Sequence, residues 1–404
     1  MNFSRLALEI VSSPTLSLNE MAKNLQANGK PVINLGVGEP LNLAPISAID
    51  IASNRLKSRF IKYSPSSGVS KLKNTICQYT HENYGVMPTE KNVLVTVGAK
   101  QAIFNTLFSI LNRDDEVILL APYWVSYPEM IKMASGKPVV IMPKKDTLEP
   151  SINDIKAAVS SRTKAIILNN PNNPSGIVYS SEFVGDLVKY CEKEEIFLIM
   201  DDIYHKLVFG ERSWVSGYHF TNKNIDNSYI VIINGISKTY GMTGFRIGWA
   251  IGPAVLICIM TNIQSQTTSG ASILLQDAAL GALTGSQSEV NELCSIIKSN
   301  KDITLKGLMN IPKLNLIEPG GAFYCLPDFS AYNPDSMALS EFILKKALVA
   351  LVPGVAFGME GHLRISFAGN PEDIKEAIQR IHWVLDKSTG EEIQMGGQIY
   401  KRDW

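Results

Sequence analysis

The sequence reads as an α/β protein, with a mostly parallel sheet of seven strands sandwiched by helices and a smaller α+β domain beside it. Three observations predict this. From residue 93 onward, short apolar runs alternate with loops and helical stretches, the pattern of parallel strands joined by helical crossovers. Polar and glycine-bearing residues gather just beyond the carboxyl ends of those runs, where open parallel sheets bind ligands. At 404 residues with 45% hydrophobic content, the chain exceeds one ordinary core and suits a large domain plus a small one.

Taken in order, Ser12-Ser-Pro14-Thr15 breaks the chain, and apolar spacing from Leu18 to Leu25 predicts a helix. Val32–Leu35 reads as a short strand entering Gly36-Val-Gly38, either a tight turn or a place where a ligand touches backbone. Helices are expected at Ile46–Arg59 and Val69–Tyr84, around the loop Tyr63-Ser-Pro-Ser-Ser-Gly68. The seven strands are Val93–Val97, Glu116–Leu120, Pro138–Met142, Ala165–Leu168, Ile196–Met200, Ile230–Ile233 and Ile247–Ile251. Ala254–Leu283 is helical with a polar interruption, and Gln287–Leu308 is a further helix. Short strands at Pro319–Leu326, Val349–Val352 and Leu363–Phe367, with helices at Ser336–Ala350 and Pro371–Asp386, form the small domain. The expected division is an arm with part of the small domain at 1–45, a large domain at 46–285, a small domain at 286–387 and a tail without periodicity at 388–404.

Lys+Arg and Asp+Glu both number 38, so whole-chain charge gives no case for nucleic acid or an anionic membrane. No apolar run approaches a bilayer span and the start lacks a signal-peptide core, so a cytoplasmic protein is expected. Five scattered cysteines and five histidines show no metal spacing, so no metal site is expected.

The chemistry centres on Lys238. The buried run Ile230–Ile233 delivers it just past a strand end, and Arg246 follows eight residues later in a glycine-rich turn. A surface lysine behind a strand is the alternative, and the strand alone does not decide. Four further strand ends decide it, carrying Gly98-Ala99-Lys100, Trp124, Asn173, and Asp201 with Tyr204. An amine, a carboxylate, a tyrosine, an asparagine, an aromatic face and an anion cradle are together what pyridoxal phosphate chemistry requires. Lys238 is then the Schiff-base lysine and proton carrier, Asp201 faces the pyridine nitrogen, and Asn173 and Tyr204 bond the ring hydroxyl oxygen. Trp124 stacks on the ring, the helix start at Gly98, Ala99 and Lys100 cradles the phosphate with Ser237 and Arg246, and Arg364 clamps the substrate α-carboxylate.

These motifs resemble the class I, fold-type I pyridoxal-phosphate-dependent aminotransferases, most of all the bacterial-type aspartate aminotransferases. The matching stretches include Tyr63-Ser-Pro-Ser-Ser-Gly, Val97-Gly-Ala-Lys-Gln, Ala121-Pro-Tyr-Trp-Val-Ser-Tyr-Pro, Asn169-Asn-Pro-Asn-Asn-Pro-Ser-Gly, Asp201-Asp-Ile-Tyr, Ser237-Lys-Thr-Tyr-Gly-Met-Thr-Gly-Phe-Arg and Leu363-Arg-Ile-Ser-Phe-Ala. The resemblance runs from about residue 5 to 386. It implies a homodimer with shared active sites, in which Tyr63 reaches the neighbouring subunit's phosphate. It implies that Gly38 lies beside bound substrate, and that Lys100, with Thr15 from the arm, recognises a distal carboxylate. The implied reaction moves the amino group of L-aspartate to a 2-oxoacid such as 2-oxoglutarate by a ping-pong route. Ala99, Gly235 and the stretch Asn42–Ala44 depart from the family pattern, which leaves open an aromatic or prephenate aminotransferase, or a β-eliminating lyase. A non-catalytic regulator would need an added DNA-binding module, for which no room is expected.

Overall fold

The computed structural model describes Phe3, Ser4, Ala7, Leu8, Ile10 and residues 14–404, apart from the side chains of residues 14–17. Its centre is a seven-stranded sheet: β1 (Val93–Thr96), β2 (Glu116–Leu120), β3 (Lys137–Ile141), β4 (Thr163–Asn169), β5 (Phe197–Asp201), β6 (Ile230–Gly235) and β7 (Gly248–Ile251). The spatial order is β1-β7-β6-β5-β4-β2-β3. All neighbours pair in parallel except β7, which is antiparallel to both β1 and β6.

Apart from the edge strand β3, the strands are largely apolar because both faces are covered. Successive side chains alternate between two cores: Ile166, Leu168, Leu198, Met200, Ile230 and Ile232 enter one, while Ile167, Ile199, Val231 and Ile233 enter the other. The register aligns Asn169 with Asp201 and Asp201 with Ile233. Thus β4, β5 and β6 end together, and their loops open on one edge.

A third core belongs to smaller sheets. Tyr324–Cys325 and Val352–Pro353 flank Leu363–Ser366 in antiparallel pairs, and Ile33–Asn34 pairs in parallel with Val349–Ala350. Helices Ser288–Leu308, Ser336–Ala347 and Pro371–Leu385 contribute Leu308, Ile343 and Ile381 to that core.

Three stretches differ from expectation. The first helix runs Pro14–Ala27, so Pro14 starts it and does not break it, as the first helical turn allows. Within Pro319–Leu326 only Tyr324–Cys325 is strand, because Gly320, Gly321 and Ala322 donate to Gly176 and Leu207 carbonyls. The expected tail at 388–404 is ordered. Glu392–Met395 and Gln398–Lys401 form a hairpin closed by Gly396 and Gly397, both with positive φ as a two-residue primed turn requires. Met395 is fully buried in the small-domain core, and Trp404 sits edge-on to Trp383 at 5.1 Å. The helix-and-strand pattern had missed an Asp/Asn-free Gly-Gly turn between two four-residue strands. Met395→Ala should therefore lower stability by about 2–5 kcal/mol. An unchanged melting temperature would show that the hairpin carries no packing energy.

Candidate active site

The common edge of β4, β5 and β6 floors a cavity of about 490 Å³. From the large sheet it receives Asn173, Asp201, Tyr204, Ser237 and Lys238. Helix Ala99–Ile110 and the loop after β2 supply Ala99, Lys100 and Trp124. Arg246 completes that side, while Gly38 and Arg364 arrive with the small sheets.

Lys238 extends from the loop after β6, and its Nζ donates to the Gly38 carbonyl at 2.6 Å. Burial pulls its pKa down to about 8, against the attraction of Glu39, with Arg364 and Arg246 lowering it further. Asp201 accepts from the Tyr127 hydroxyl through Oδ2 at 2.6 Å, whereas its Oδ1 is buried without a partner. Burial raises this carboxyl to about 6, opposed chiefly by the Tyr127 bond.

Arg364 lies opposite Val352 in the small sheet, so its side chain crosses into the cavity. Nη1 donates to Asn173 Oδ1 at 2.9 Å and Nη2 to the Gly36 carbonyl at 2.6 Å, while Nε is buried without a partner. The guanidinium lies 4.5 Å from the Tyr324 ring centre and 5.1 Å from that of Phe357. Asn173 is itself placed by Asn169, whose Oδ1 accepts its backbone N–H at 2.7 Å and whose Nδ2 donates to the Asp201 carbonyl at 2.8 Å.

Lys100 Nζ stands 4.8 Å from the Trp124 ring centre, its pKa lowered by burial and then by Arg246. Tyr204 Oη contacts Tyr324 Oη at 3.3 Å. Gly98 precedes the helix with φ +78°, and a Cβ there would lie 2.5 Å from Arg246 Nη2. The missing side chain lets the guanidinium approach the helix start.

Two expected site residues are not among those that line this cavity. Tyr63 is fully exposed and lines no part of its own chain's cavity. Thr15 lies on the first helix, but its side chain is outside the described residues. Sequence reasoning missed Tyr127 and Tyr324. Tyr127 is three residues after Trp124 and its ring meets Trp124 edge-on at 5.4 Å. Tyr324 stood within the apolar run Ala322–Leu326, where nothing separated it from a core aromatic.

The family model for aminotransferase class I and II matches residues 30–381. The chain belongs to that family. It is an enzyme of the fold-type I, pyridoxal-phosphate-dependent aminotransferases. Among its relatives is a probable aspartate/prephenate aminotransferase of Aquifex aeolicus, 38% identical over 381 residues, covering 93% of this chain and 96% of the relative. The aspartate aminotransferase of Bacillus subtilis is 34% identical over 395 residues, covering 96% and 100%. The solved aspartate aminotransferase of Thermus thermophilus with maleate superposes with a TM-score of 0.90 at 34% identity, covering 95% of this chain and all of that one. As an aminotransferase, the protein needs a movable proton carrier and a carboxylate-binding cation. Lys238 and Arg364 both line this cavity.

Proposed function

We propose that this aminotransferase takes its amino group from L-aspartate and passes it to a 2-oxoacid such as 2-oxoglutarate. The observation that carries the reading is the pair of separate cations on one cavity: Arg364 from the small sheet and Lys100 from helix Ala99–Ile110. An amino acid with two carboxylates uses both.

The residues fit pyridoxal phosphate. The unpartnered Asp201 Oδ1 is an acceptor for a protonated ring nitrogen, and the close approach of Arg246 to the start of helix Ala99–Ile110 makes an anion cradle with Ser237. When bound, the cofactor supplies an electron sink for the pair left at the substrate Cα. Lys238 holds the amine that takes and returns the Cα proton, and burial lowers its pKa toward the range in which an amine can accept a proton near neutral pH. Among the residues lining the cavity, Arg364 would orient the α-carboxylate, Trp124 would offer a flat face, Gly38 would border the substrate, and Asn173 and Tyr204 would bond the ring oxygen. Gly98→Ala should cost about 1–3 kcal/mol of backbone strain, because φ +78° with ψ 162° is a region that only glycine adopts readily, and should push Arg246 away. Its measurable result is cofactor binding weakened about tenfold in equilibrium dialysis. Unaltered binding would remove Gly98 from the cradle.

A second reading, a prephenate or aromatic donor, is favoured by the apolar Leu18, Ile103 and Trp124 in the same cavity. The test is direct. The enzyme, given L-aspartate without any acceptor, should release about one equivalent of oxaloacetate per chain, and steady-state rates with 2-oxoglutarate should give parallel double-reciprocal lines. Transfer from phenylalanine or to prephenate without transfer from aspartate selects the second reading. Release of a thiol from a cysteine thioether selects the lyase.

We further infer a homodimer. The full exposure of Tyr63 supports it, together with exposed Phe60 and Ile61 on the same stretch. Light scattering should give twice the chain mass. Among the described residues no helix is long and apolar enough to cross a membrane.

A further inference from the structure

We propose that Asn34 is a positioning residue for the carboxylate clamp, coupling the first helix to Arg364 through the backbone of Gly36. The inference rests on the reading of Arg364 as the clamp. Both ends of the Asn34 amide are engaged: Nδ2 donates to Asn19 Oδ1 at 2.7 Å, and Oδ1 accepts the Gly36 N–H at 2.9 Å. A side-chain oxygen that takes the N–H two residues ahead fixes a turn. Here that turn aims the Gly36 carbonyl at Arg364 Nη2, 2.6 Å away.

The backbone around Asn34 is anchored independently of its side chain. Asn34 is in register with Ala350, the Leu35 N–H donates to the Ala350 carbonyl at 3.0 Å, and the Leu35 carbonyl accepts from Ser366 N at 2.8 Å. Ser366 lies two residues beyond Arg364 on the same strand. The strand therefore sets where the clamp begins, while Asn34 sets the carbonyl against which its tip rests. The other tip nitrogen rests on Asn173, so the guanidinium is held between a side-chain amide and a backbone carbonyl. Without the Asn34 turn, Gly36 can rotate its carbonyl away and Arg364 loses one of its two fixed partners. Asn19 and Asn34 both line the cavity, which makes the first helix part of the same unit.

The loss should appear in substrate affinity more than in chemistry, because the clamp holds the substrate in both ground and transition states. In the holoenzyme, Asn34→Ala should raise KM for L-aspartate and for 2-oxoglutarate about tenfold, with kcat within about threefold and cofactor affinity unchanged. Asn19→Ala, one hydrogen bond further from the clamp, should raise KM less, and the double variant should be no worse than Asn34→Ala alone. If Asn34→Ala folds poorly, Asn19→Ala carries the test. An unchanged KM in these variants, beside a raised KM in Arg364→Lys, overturns the positioning role alone. An unchanged KM in Arg364→Lys overturns the clamp and the proposal with it.

Discussion

Lys238→Ala should abolish turnover, with kcat falling at least about 10⁴-fold, because in the proposed mechanism one side chain is both the covalent anchor and the proton carrier. No neighbour can substitute. Lys100 is drawn over Trp124, and Arg246 and Arg364 carry guanidiniums that do not give up protons in this range. A readout independent of rate is intact mass after borohydride reduction of the loaded protein. Wild type should keep the cofactor mass and Lys238→Ala should not. In cofactor-free protein, burial and the two arginines hold the amine near 8, so its labelling by an amine-selective reagent should rise through that pH, well before exposed lysines react. Retained covalent cofactor in the alanine variant would remove Lys238 from the centre of the mechanism.

The sheet was legible because buried parallel strands are continuous apolar runs, and Ile230–Gly235 is one. The active-site edge was legible for a related reason: a polar residue at the end of such a run, like Asp201, or a few residues past it, like Lys238, falls at the edge where the sheet ends. What stayed hidden depends on distant partners. That β7 runs antiparallel between β1 and β6 cannot be read from Gly248–Ile251 itself. Asn34 looked like an ordinary polar residue after an isoleucine, because its partners, Asn19 and the peptide that supports Arg364, meet only when Ile33–Asn34 pairs with Val349–Ala350. The hairpin at the chain end was missed because two four-residue strands carry too little periodicity, although Gly396-Gly397 was a turn signal.

Asp201→Asn should separate stability from catalysis. In the cofactor-free protein Asp201 Oδ1 has no partner, and burial raises the folded-state pKa from 3.8 to about 6. A carboxyl whose pKa is raised on folding binds more protons in the folded state between those values. Stability therefore falls as pH climbs through that window, by about 3 kcal/mol in total, and stays lower above it. The asparagine variant cannot ionise, so its cofactor-free form should melt higher than wild type above pH 6, with the gap closing below about pH 4. Cofactor binding reverses the ranking. In the proposed site the Asp201 carboxylate would pair with a protonated ring nitrogen, which would offset its burial, while an amide offers no charge. The loaded variant should thus lose most of the stabilisation that cofactor gives wild type, and kcat should drop about 10²–10⁴-fold, the range of a lost acid–base or charge partner. Equal melting temperatures of the two cofactor-free proteins at pH 8 would mean that Asp201 is not held ionised at a cost. A wild-type kcat in the variant would mean that the carboxylate does not face the ring nitrogen.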